Sequence, residues 1–366
     1  MLDVPAGLEG VVVDETAISL VDGSKGDLSY RGYSIDDLVS LPFTEVAGLV
    51  ISGDTGHDLN RDLHKAARLT GRETAMVLSL PETIHPMNML QGLVPLLDES
   101  DAFDHFGPAA HGLTIAAKLP ALVATFMTRA PLTTDAKDDY IERFLSDIGA
   151  PVDDVHREAF EVTQILQIEH SFNASTFAAR VVESTEAPIQ NAISAAIGTL
   201  HGRLHGGADQ AALEAADSVA CPADAAAFVD RCIAEKTKIM GMGHREYKVL
   251  DPRARHIKRI ADTLTRGTEF ENTYLILRAI EDRFTERMAE NNKPLYANVE
   301  FYKGVVFRAL GIPTHFFTTG FAMARVFGYI AHFLEARIDS KLIRPAAHYI
   351  GPAVGSRSGQ SGLKAS

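Results

Sequence analysis

The stretch TEFENTYLILRAIEDRFTERMAENN, residues 268–292, carries the clearest structural pattern in the 366-residue sequence. Its apolar residues recur every three or four positions, and charged residues fill most positions between them. This spacing places the apolar side chains on one face of an α-helix, where they can be buried against the rest of the protein. The stretch therefore predicts an amphipathic helix. Its apolar face comprises Phe270, Tyr274, Leu277, Ile280, Phe284 and Met288.

The same helical period recurs on both sides of this stretch. One apolar stripe spans 155–170 and ends at His170, which predicts that this histidine points inward from its helix. A more apolar helix is predicted in TTGFAMARVFGYIAHFLEAR, residues 318–337. Strand-like alternation is confined to the region around VVVDETAISLVDG, residues 11–23, which is compatible with a short hairpin. The predicted fold class is mainly α, with prolines such as Pro120 expected at helix boundaries.

The composition limits the classes of partner that the protein can bind. With a formal net charge of −13, the chain lacks the broad basic surface that binding to nucleic acid or an anionic membrane requires. A small anionic substrate held by a few local arginines remains compatible with this charge. The two cysteines, Cys221 and Cys232, are too few for a disulfide framework. The opening residues lack a secretory pattern, and no apolar run approaches the ~20 residues of a membrane span. A cytoplasmic location is therefore expected.

The segment KIMGMGHREYKVLDPRAR, residues 238–255, concentrates positive charge in this acidic chain. Two glycines precede His244, and five cations occur within the segment. Such a cluster suggests a site for phosphates or carboxylates, although an exposed basic helix start explains it as well. The dinucleotide fingerprint G-x-G-x-x-G is absent. The cations are Lys238, Arg245, Lys248, Arg253 and Arg255.

Four further side chains are candidates for chemistry. His170, in IEHSFNAST, is either a core histidine or a ligand-binding one. Glu300, in YANVEFYKG, stands among apolar neighbours and is either a buried functional carboxylate or part of a solvated turn. Arg325 interrupts an apolar helix and has no acidic residue within one turn, which favours a ligand carboxylate as its partner. Arg344 precedes a proline in LIRPAAHYIGP.

The segment LHGRLHGGADQ, residues 200–210, places His201 and His205 four residues apart. That spacing suits a helical zinc site. Glycines at 202, 206 and 207 do not suit a helix interior, where each costs ~1 kcal/mol relative to alanine. Neither H-E-x-x-H nor paired cysteines at zinc spacing occurs. Metal chemistry is therefore the less favoured alternative.

Eight segments, taken in this order, resemble the citrate synthase family in its short bacterial and archaeal form. The resemblance implies an almost entirely helical fold, with a large domain at 1–206 plus 314–366. A small domain at 207–313 would close over the substrates, and a homodimer would complete the active sites. The segments are YRGYSIDDL, HPMNML, NASTFAARV, LHGGA, GMGHREYKVLDPRA, NVEFY, ARVFGYIAHFLE and RPAAHYIGP.

The resemblance also implies a role for each site residue. His205 would hydrogen-bond the thioester carbonyl of acetyl-CoA, Glu300 would take a proton from the acetyl methyl, and His244 would protonate the ketone oxygen of oxaloacetate. No metal or permanently bound cofactor is implied, so His201 becomes a packing or loop residue, and acetyl-CoA or propionyl-CoA enters as a co-substrate. Oxaloacetate would be bound by His170, Arg253, Arg325 and, across the dimer interface, Arg344. The CoA contacts would be Lys238, Met240, Gly241, Gly243, Arg245 and Lys248.

The sequence departs from the family pattern at a few positions. Glu300 replaces an aspartate, Arg203 replaces a proline, and Glu169 and Ser171 flank His170 where the family has aspartate and glutamate. The side chain of Glu300 is one methylene longer than that of aspartate. Either the backbone is adjusted to this length or the enzyme is weakened, because a misplacement of the catalytic group by ~1 Å can cost ~10²-fold in rate. The alternatives are a 2-methylcitrate synthase that uses propionyl-CoA, a catalytically silent homologue that binds CoA or dicarboxylates, and lastly a zinc-dependent hydrolase.

Overall fold

The computed structural model describes residues 5–132 and 137–352, and within these ranges the fold is mainly α, as predicted. The amphipathic stretch forms α14 and the apolar stretch near the C-terminus forms α16, which confirms both predicted helices. The helices are α1 (Ile35–Leu38), α2 (Phe43–Ser52), α3 (Asn60–Ala66), α4 (Gly71–Ser79), α5 (Pro86–Leu93), α6 (Ala110–Thr128), α7 (Tyr140–Asp147), α8 (Asp154–Ile165), α9 (Ala174–Glu183), α10 (Ile189–Leu200), α11 (Ala208–Asp217), α12 (Ala225–Ala234), α13 (Pro252–Thr265), α14 (Glu271–Glu290), α15 (Val299–Ala309) and α16 (Phe317–Ile338).

A small antiparallel sheet precedes the helices, with the strand order β1-β2-β3. Its strands are β1 (Ser19–Asp22), β2 (Asp27–Tyr30) and β3 (Tyr33–Ser34). The hairpin compatible with the sequence therefore exists, but it begins only at Ser19, near the end of the quoted stretch, and residues 11–18 form no strand. The hydroxyl of Tyr30 lies within hydrogen-bond distance of the carbonyls of Ile165 and Glu169. The sheet is thereby fixed against the segment that follows α8.

Helix α16 lies at the centre of the larger helical layer, where it packs on α2, α6, α9 and α10. Pro120 lies inside α6 rather than at a boundary, so that expectation was wrong. Burial of α6 outweighs the ~3 kcal/mol that an interior proline costs a helix. By length and composition one described segment, Asp101–Thr128, could cross a membrane, but 83% of its most apolar window is buried inside the protein. That burial is typical of a core helix.

Helices α11 to α15 form a second group, in which α15 packs on α11 and α13. Gly304 permits the close approach of α15 to α11, because a Cβ at this position would lie 2.7 Å from the carbonyl oxygen of Asp209. Asp251 caps the start of α13 through its side chain. Helices α13 and α15 of this group also pack on α8.

Candidate active site

The loop before His244 is fixed against the start of α15. The amide of Gly243 donates to the carbonyl of Tyr296 at 2.7 Å, and the amide of Asn298 donates to Gly241 at 2.9 Å. Gly241 has φ +81°, and a Cβ at this position would lie 2.9 Å from the Cα of Phe301 in α15. Glycine is therefore required at 241 by both conformation and space. This pairing brings His244 next to the first turn of α15.

The ring of His244 has a defined tautomer. Its Nδ1 accepts hydrogen bonds from the amides of Glu246 at 3.0 Å and Tyr247 at 3.3 Å, so Nε2 carries the proton of the neutral ring. Burial, together with the nearby charge of Arg253, lowers the pKa of His244 to about 4. Nε2 lies 3.4 Å from Nη2 of Arg253. Because both groups are donors, they can share one acceptor oxygen on a ligand.

Arg253 is held by an acidic residue that the sequence reading did not single out. Its Nε donates to Oδ1 of Asp251 at 3.0 Å and its Nη2 donates to Oδ2 at 2.9 Å. Burial alone would raise the pKa of Asp251, but Arg253 lowers it overall. Oδ2 also accepts from the amide of Val299 at 3.2 Å, which joins α13 to α15. The signal for Asp251 was the Asp-Pro pair at a helix start.

His170 is buried, as predicted, but it does not lie on a helix. Helix α8 ends at Ile165, because the chain then turns so that the carbonyls of Ile165 and Glu169 both reach the Tyr30 hydroxyl. The helical position predicted for this histidine was therefore wrong. Its Nε2 lies 3.1 Å from the hydroxyl of Tyr247. Burial, reinforced by Arg253, holds its pKa well below 6.5, so the ring is neutral.

His205 lies between α10 and α11 and meets a chain of polar side chains. Its Nε2 is 2.8 Å from Oγ of Ser175 and 3.2 Å from Oδ1 of Asn173. The hydroxyl of Tyr329 donates to the same Oγ at 2.8 Å. Burial, with Arg325 nearby, lowers the pKa of His205 to about 4. The single proton of the Ser175 hydroxyl lies within reach of Nε2 and of Oδ1 of Asn173, 2.8 Å away; in the arrangement that gives it to Nε2, the ring proton is on Nδ1, where it can be donated to a ligand.

Arg325 is a buried cation on α16 with an incomplete set of partners. Its Nε donates to the carbonyl of Gln167 at 2.8 Å, and its guanidinium lies 4.7 Å from the ring centroid of Phe321. Within the described part of the chain, Nη1 has no hydrogen-bond partner and no acidic side chain forms an ion pair with this arginine. Burial lowers its pKa. Such a site favours a carboxylate supplied by a ligand.

Glu300 lies in the first turn of α15 and is 9% exposed, so the solvated-turn alternative is wrong. Its Oε2 lies 2.5 Å from Nζ of Lys303, a contact that the sequence reading missed. Burial raises the pKa of Glu300, while Lys303 opposes the rise. The ring of Phe321 connects this part of the site to the rest, since it contacts Lys303, Arg325 and His205.

The residues predicted for CoA lie along one side of the loop that carries His244. A cavity of about 300 Å³ borders His244, Tyr247 and Lys248. Nζ of Lys248 donates to the carbonyl of Arg245 at 2.9 Å. Of the six predicted residues, Lys238, Arg245 and Lys248 are exposed, Met240 and Gly243 are half-buried, and Gly241 is buried.

Arg344 is not brought to this cluster within a single chain. It is exposed in the extended segment after α16, and in the described ranges no hydrogen bond or ion pair joins it to the other predicted site residues.

The ring of His201 stacks on that of His85, with 4.2 Å between centroids. Among residues 5–132 and 137–352, no three His, Cys, Asp or Glu side chains form a metal-binding group. Arg203 is exposed in the loop before His205.

Comparison with known proteins places this site in a family. Residues 7–346 match the family described as "Citrate synthase, C-terminal domain". A citrate synthase from Synechocystis sp. is 36% identical over 362 residues, which cover 94% of this chain and 90% of that protein. A 2-methylcitrate synthase from Mycobacterium tuberculosis is also 36% identical, covering 95% of this chain and 91% of that protein.

Solved structures agree with the sequence relatives. The ternary complex of carboxymethyl coenzyme A and oxaloacetate with citrate synthase from Thermoplasma acidophilum has a TM-score of 0.87 at 28% identity. That match covers 96% of this chain and 97% of the archaeal one. The fold and the length matched agree, and the chain belongs to the citrate synthase family.

Proposed function

We propose that the protein condenses an acyl-CoA with oxaloacetate and hydrolyses the resulting thioester to release a citrate and free CoA. One observation carries this proposal. A single buried cluster combines neutral histidines, a carboxylate and a guanidinium with an unpartnered nitrogen. Neutral donors and a buried base suit the removal of a proton from carbon, because charge then develops in a site prepared to receive it.

Oxaloacetate would be bound by its two carboxylates. Arg325 offers the unpartnered Nη1 to one of them, and Arg253, already fixed by Asp251, lies beside His170 and His244. Two rigid guanidinium groups set the orientation of a dicarboxylate as well as supplying charge. We assign the remaining contact to Arg344 of the second subunit of a homodimer, since this arginine lies on an exposed C-terminal segment.

The first chemical step would form the enolate of the acyl thioester. Glu300 takes a proton from the carbon next to the carbonyl, and the C–H electron pair forms the C=C bond of the enolate. The thioester oxygen becomes negative, and His205 stabilises it by donating a hydrogen bond from Nδ1. A donor in place before the reaction typically contributes ~10²–10³-fold to the rate.

The second step would join the enolate carbon to the ketone carbon of oxaloacetate. The ketone oxygen gains the electron pair of its π bond and takes a proton from Nε2 of His244, the nitrogen that carries the ring proton. Arg253, 3.4 Å away, would stabilise the same oxygen during the transfer. Water then hydrolyses the thioester and releases CoA as the thiol.

The CoA portion would lie along the segment 238–248. Backbone groups of Met240, Gly241 and Gly243 would face the adenine, with Lys238 nearby. Arg245 and Lys248 are exposed and available to the phosphates, and the cavity of about 300 Å³ beside Lys248 supports this assignment. Lys248 would act on a phosphate as a point charge, whereas the guanidinium of Arg245 can donate two parallel hydrogen bonds.

We further propose that residues 207–313 form a small domain that closes on a large domain formed by 1–206 and 314–366. Surface ion pairs join the two parts, including Arg259 with Glu158 at 2.9 Å. Exposed pairs of this kind contribute only ~0–1 kcal/mol, so they can break and re-form during closure. Small-angle scattering should show a smaller radius of gyration with oxaloacetate than without it.

We place the protein in the cytoplasm.

The second candidate function uses propionyl-CoA and makes 2-methylcitrate. It is favoured by the equal identity, 36%, of this chain to a citrate synthase and to a 2-methylcitrate synthase. One added methylene in an apolar pocket changes selectivity by only ~10–200-fold, so one site can serve both substrates.

Release of CoA thiol tests the proposal. The purified protein is mixed with oxaloacetate and, in parallel, with acetyl-CoA or propionyl-CoA. Release with either donor supports the synthase reaction, and the ratio of kcat/KM values identifies the preferred donor. A folded protein that binds oxaloacetate but releases no thiol with either donor would contradict the proposal and favour a silent homologue. Activity that disappears on chelation would favour the zinc hydrolase.

A further inference from the structure

Lys303 is a fully buried cation one helical turn after Glu300, and the mechanism above does not use it. Its Nζ lies 2.5 Å from Oε2 of Glu300 and 3.2 Å from Oδ2 of Asp209 on α11. The same nitrogen donates a hydrogen bond to Oε1 of Gln167 at 3.1 Å. The lysine therefore stands between two carboxylates and an amide oxygen.

The surroundings make this arrangement costly. The side chains of Lys303 and Asp209 are both 0% exposed. Nζ lies 4.5 Å from the ring centroid of Phe321, so aromatic surface rather than water covers it. A buried ion costs several kcal/mol in lost hydration, which an ion pair returns only when its geometry is good. A charged group kept at that cost, in contact with the carboxylate of the site, calls for a role in the reaction.

We propose that Lys303 is a positioning residue for the base, holding the Glu300 carboxylate ionised and fixing which of its oxygens receives the substrate proton. This inference rests on the proposed function, because it assigns a partner to the base of that reaction. It also gives the flexible glutamate side chain a defined position.

The contact with Lys303 leaves one carboxylate oxygen for the substrate. Oε2 of Glu300 is completely buried against Nζ, whereas the side chain as a whole retains 12% exposure. Oε1 is therefore the oxygen that an acyl thioester can reach. A glutamate has one more rotatable bond than an aspartate, and an ion contact three residues along the same helix restricts that freedom.

The charges around Glu300 act in opposite directions. Burial and Asp209 raise its pKa, while Lys303 and, more weakly, Arg253 lower it. The guanidinium of Arg325 from α16 lies 4.7 Å from the centroid of the Phe321 ring, which Lys303 also contacts. The pKa of Glu300 is raised overall, and loss of the lysine would raise it further, so that less of the base would be ionised at a given pH.

Asp209 completes the arrangement after the proton has moved. Before transfer, one ammonium faces two carboxylates, and after transfer Glu300 is neutral and the ammonium remains paired with Asp209. The buried charge thus falls from −1 to zero, which favours the transfer. Lys303 keeps the base ionised, and Asp209 makes the base stronger. Removal of Lys303 should therefore raise the pKa of Glu300, and removal of Asp209 should lower it.

The test compares Lys303→Met with Asp209→Asn in the full-length protein. The rate of thiol release at saturating oxaloacetate and acyl-CoA is measured against pH, and oxaloacetate binding is measured by calorimetry. The acid limb of kcat reports the base in the enzyme–substrate complex. We expect the limb to move up for Lys303→Met and down for Asp209→Asn, each by about one pH unit or more. At neutral pH the lysine variant should lose ~10-fold or more in kcat, while its affinity for oxaloacetate stays within about twofold.

Lys118→Met is the matched control, because Lys118 forms a buried ion pair with Glu73 elsewhere in the fold. It should change stability without moving the acid limb. An unchanged limb in Lys303→Met, or limbs that move in the same direction in both site variants, overturns the proposal. If Lys303→Met does not fold, Asp209→Asn decides alone, and an unchanged profile overturns it. A wild-type protein that releases no thiol refutes the proposed function instead.

Discussion

Residues 5–132 and 137–352 contain two buried lysine–glutamate pairs, and the surroundings of the two pairs differ. In the first, Nζ of Lys118 donates to Oε1 of Glu73 at 2.8 Å and to the carbonyl of Asp98 at 2.8 Å. Backbone amides also donate to this carboxylate. Oε2 of Glu73 accepts from the amide of Thr70 at 2.7 Å, and Oε1 accepts from the amide of Asp98 at 2.7 Å. Each oxygen of this glutamate has a hydrogen bond, so the pair joins α4 to α6 as a structural element.

The second pair is less completely satisfied. Oε2 of Glu300 lies 2.5 Å and Oδ2 of Asp209 lies 3.2 Å from the Lys303 ammonium, but within the described residues no backbone amide donates to either oxygen. Backbone amides occupy both oxygens of Glu73, whereas Oε1 of Glu300 remains available to accept a proton from a substrate. The comparison teaches that hydrogen-bond satisfaction, rather than burial, distinguishes the structural carboxylate from the one expected to react.

The largest expected effect is that of Glu300→Gln. The amide keeps the shape but cannot accept the substrate proton, so kcat for thiol release should fall by ~10²–10⁴-fold. Oxaloacetate affinity, measured by calorimetry, should stay nearly unchanged. The matched variant Glu73→Gln should lower stability and leave kcat per folded molecule intact. Substantial turnover by Glu300→Gln would exclude this residue as the base.

Arg325→Leu should weaken oxaloacetate binding by ~10–100-fold, because a hydrogen bond to a charged group contributes ~1.5–3 kcal/mol. The dissociation constant is measured directly by calorimetry. Arg143→Leu serves as control, since Arg143 is also a buried arginine with an unpartnered nitrogen but contacts His64 in another region. Equal losses of affinity in both variants would mean that Arg325 does not bind the substrate.

Lys118→Met should reduce stability and leave catalysis unchanged. Removing one partner of a buried ion pair typically costs ~3–5 kcal/mol, because the other charge remains buried without compensation. Denaturant unfolding measures this loss. A shifted pH profile for thiol release in this variant would show that the two lysine–glutamate pairs are not independent.

The smallest effect concerns the histidines. In the folded protein the pKa values of His205 and His244 are about 4, below the ordinary 6.5, so between these values the unfolded chain binds protons that the folded one does not. Stability should therefore fall as the pH decreases from 6.5 towards 4. His244→Asn should make the melting temperature less dependent on pH in this window. An identical dependence in the variant and the wild type would argue against a buried neutral His244.

Helices with a clear apolar face were predictable from local spacing. Helix α14 has one charged face and one apolar face, and α16 is nearly all apolar, so the positions of both helices were predicted correctly. The position of His170 was not predictable, because a distant tyrosine, Tyr30, contacts the carbonyl of the last residue of α8, Ile165, and that of Glu169 in the turn that follows. Pro120 was misplaced because burial on several sides, which local sequence does not report, retains the helix around it.

The candidate site was predictable only in part. Residues that belong to recognisable segments, such as His205 and Arg325, were singled out, whereas their supporting partners were missed. Asp209 meets Lys303 because a glycine, Gly304, lets α11 and α15 approach closely. The two residues are far apart in the sequence, and neither position has an unusual local pattern. Tertiary packing creates the pair, so spacing along the chain could not reveal it.

The central claim is that Glu300 removes a proton from the acyl carbon. Exchange of the methyl hydrogens of acetyl-CoA with deuterated water isolates this step when malate, a dicarboxylate without the ketone, replaces oxaloacetate. Mass spectrometry of the recovered acetyl-CoA measures the deuterium gained. The account predicts exchange with the wild-type protein and none above background with Glu300→Gln. Exchange at the wild-type rate in Glu300→Gln would contradict it.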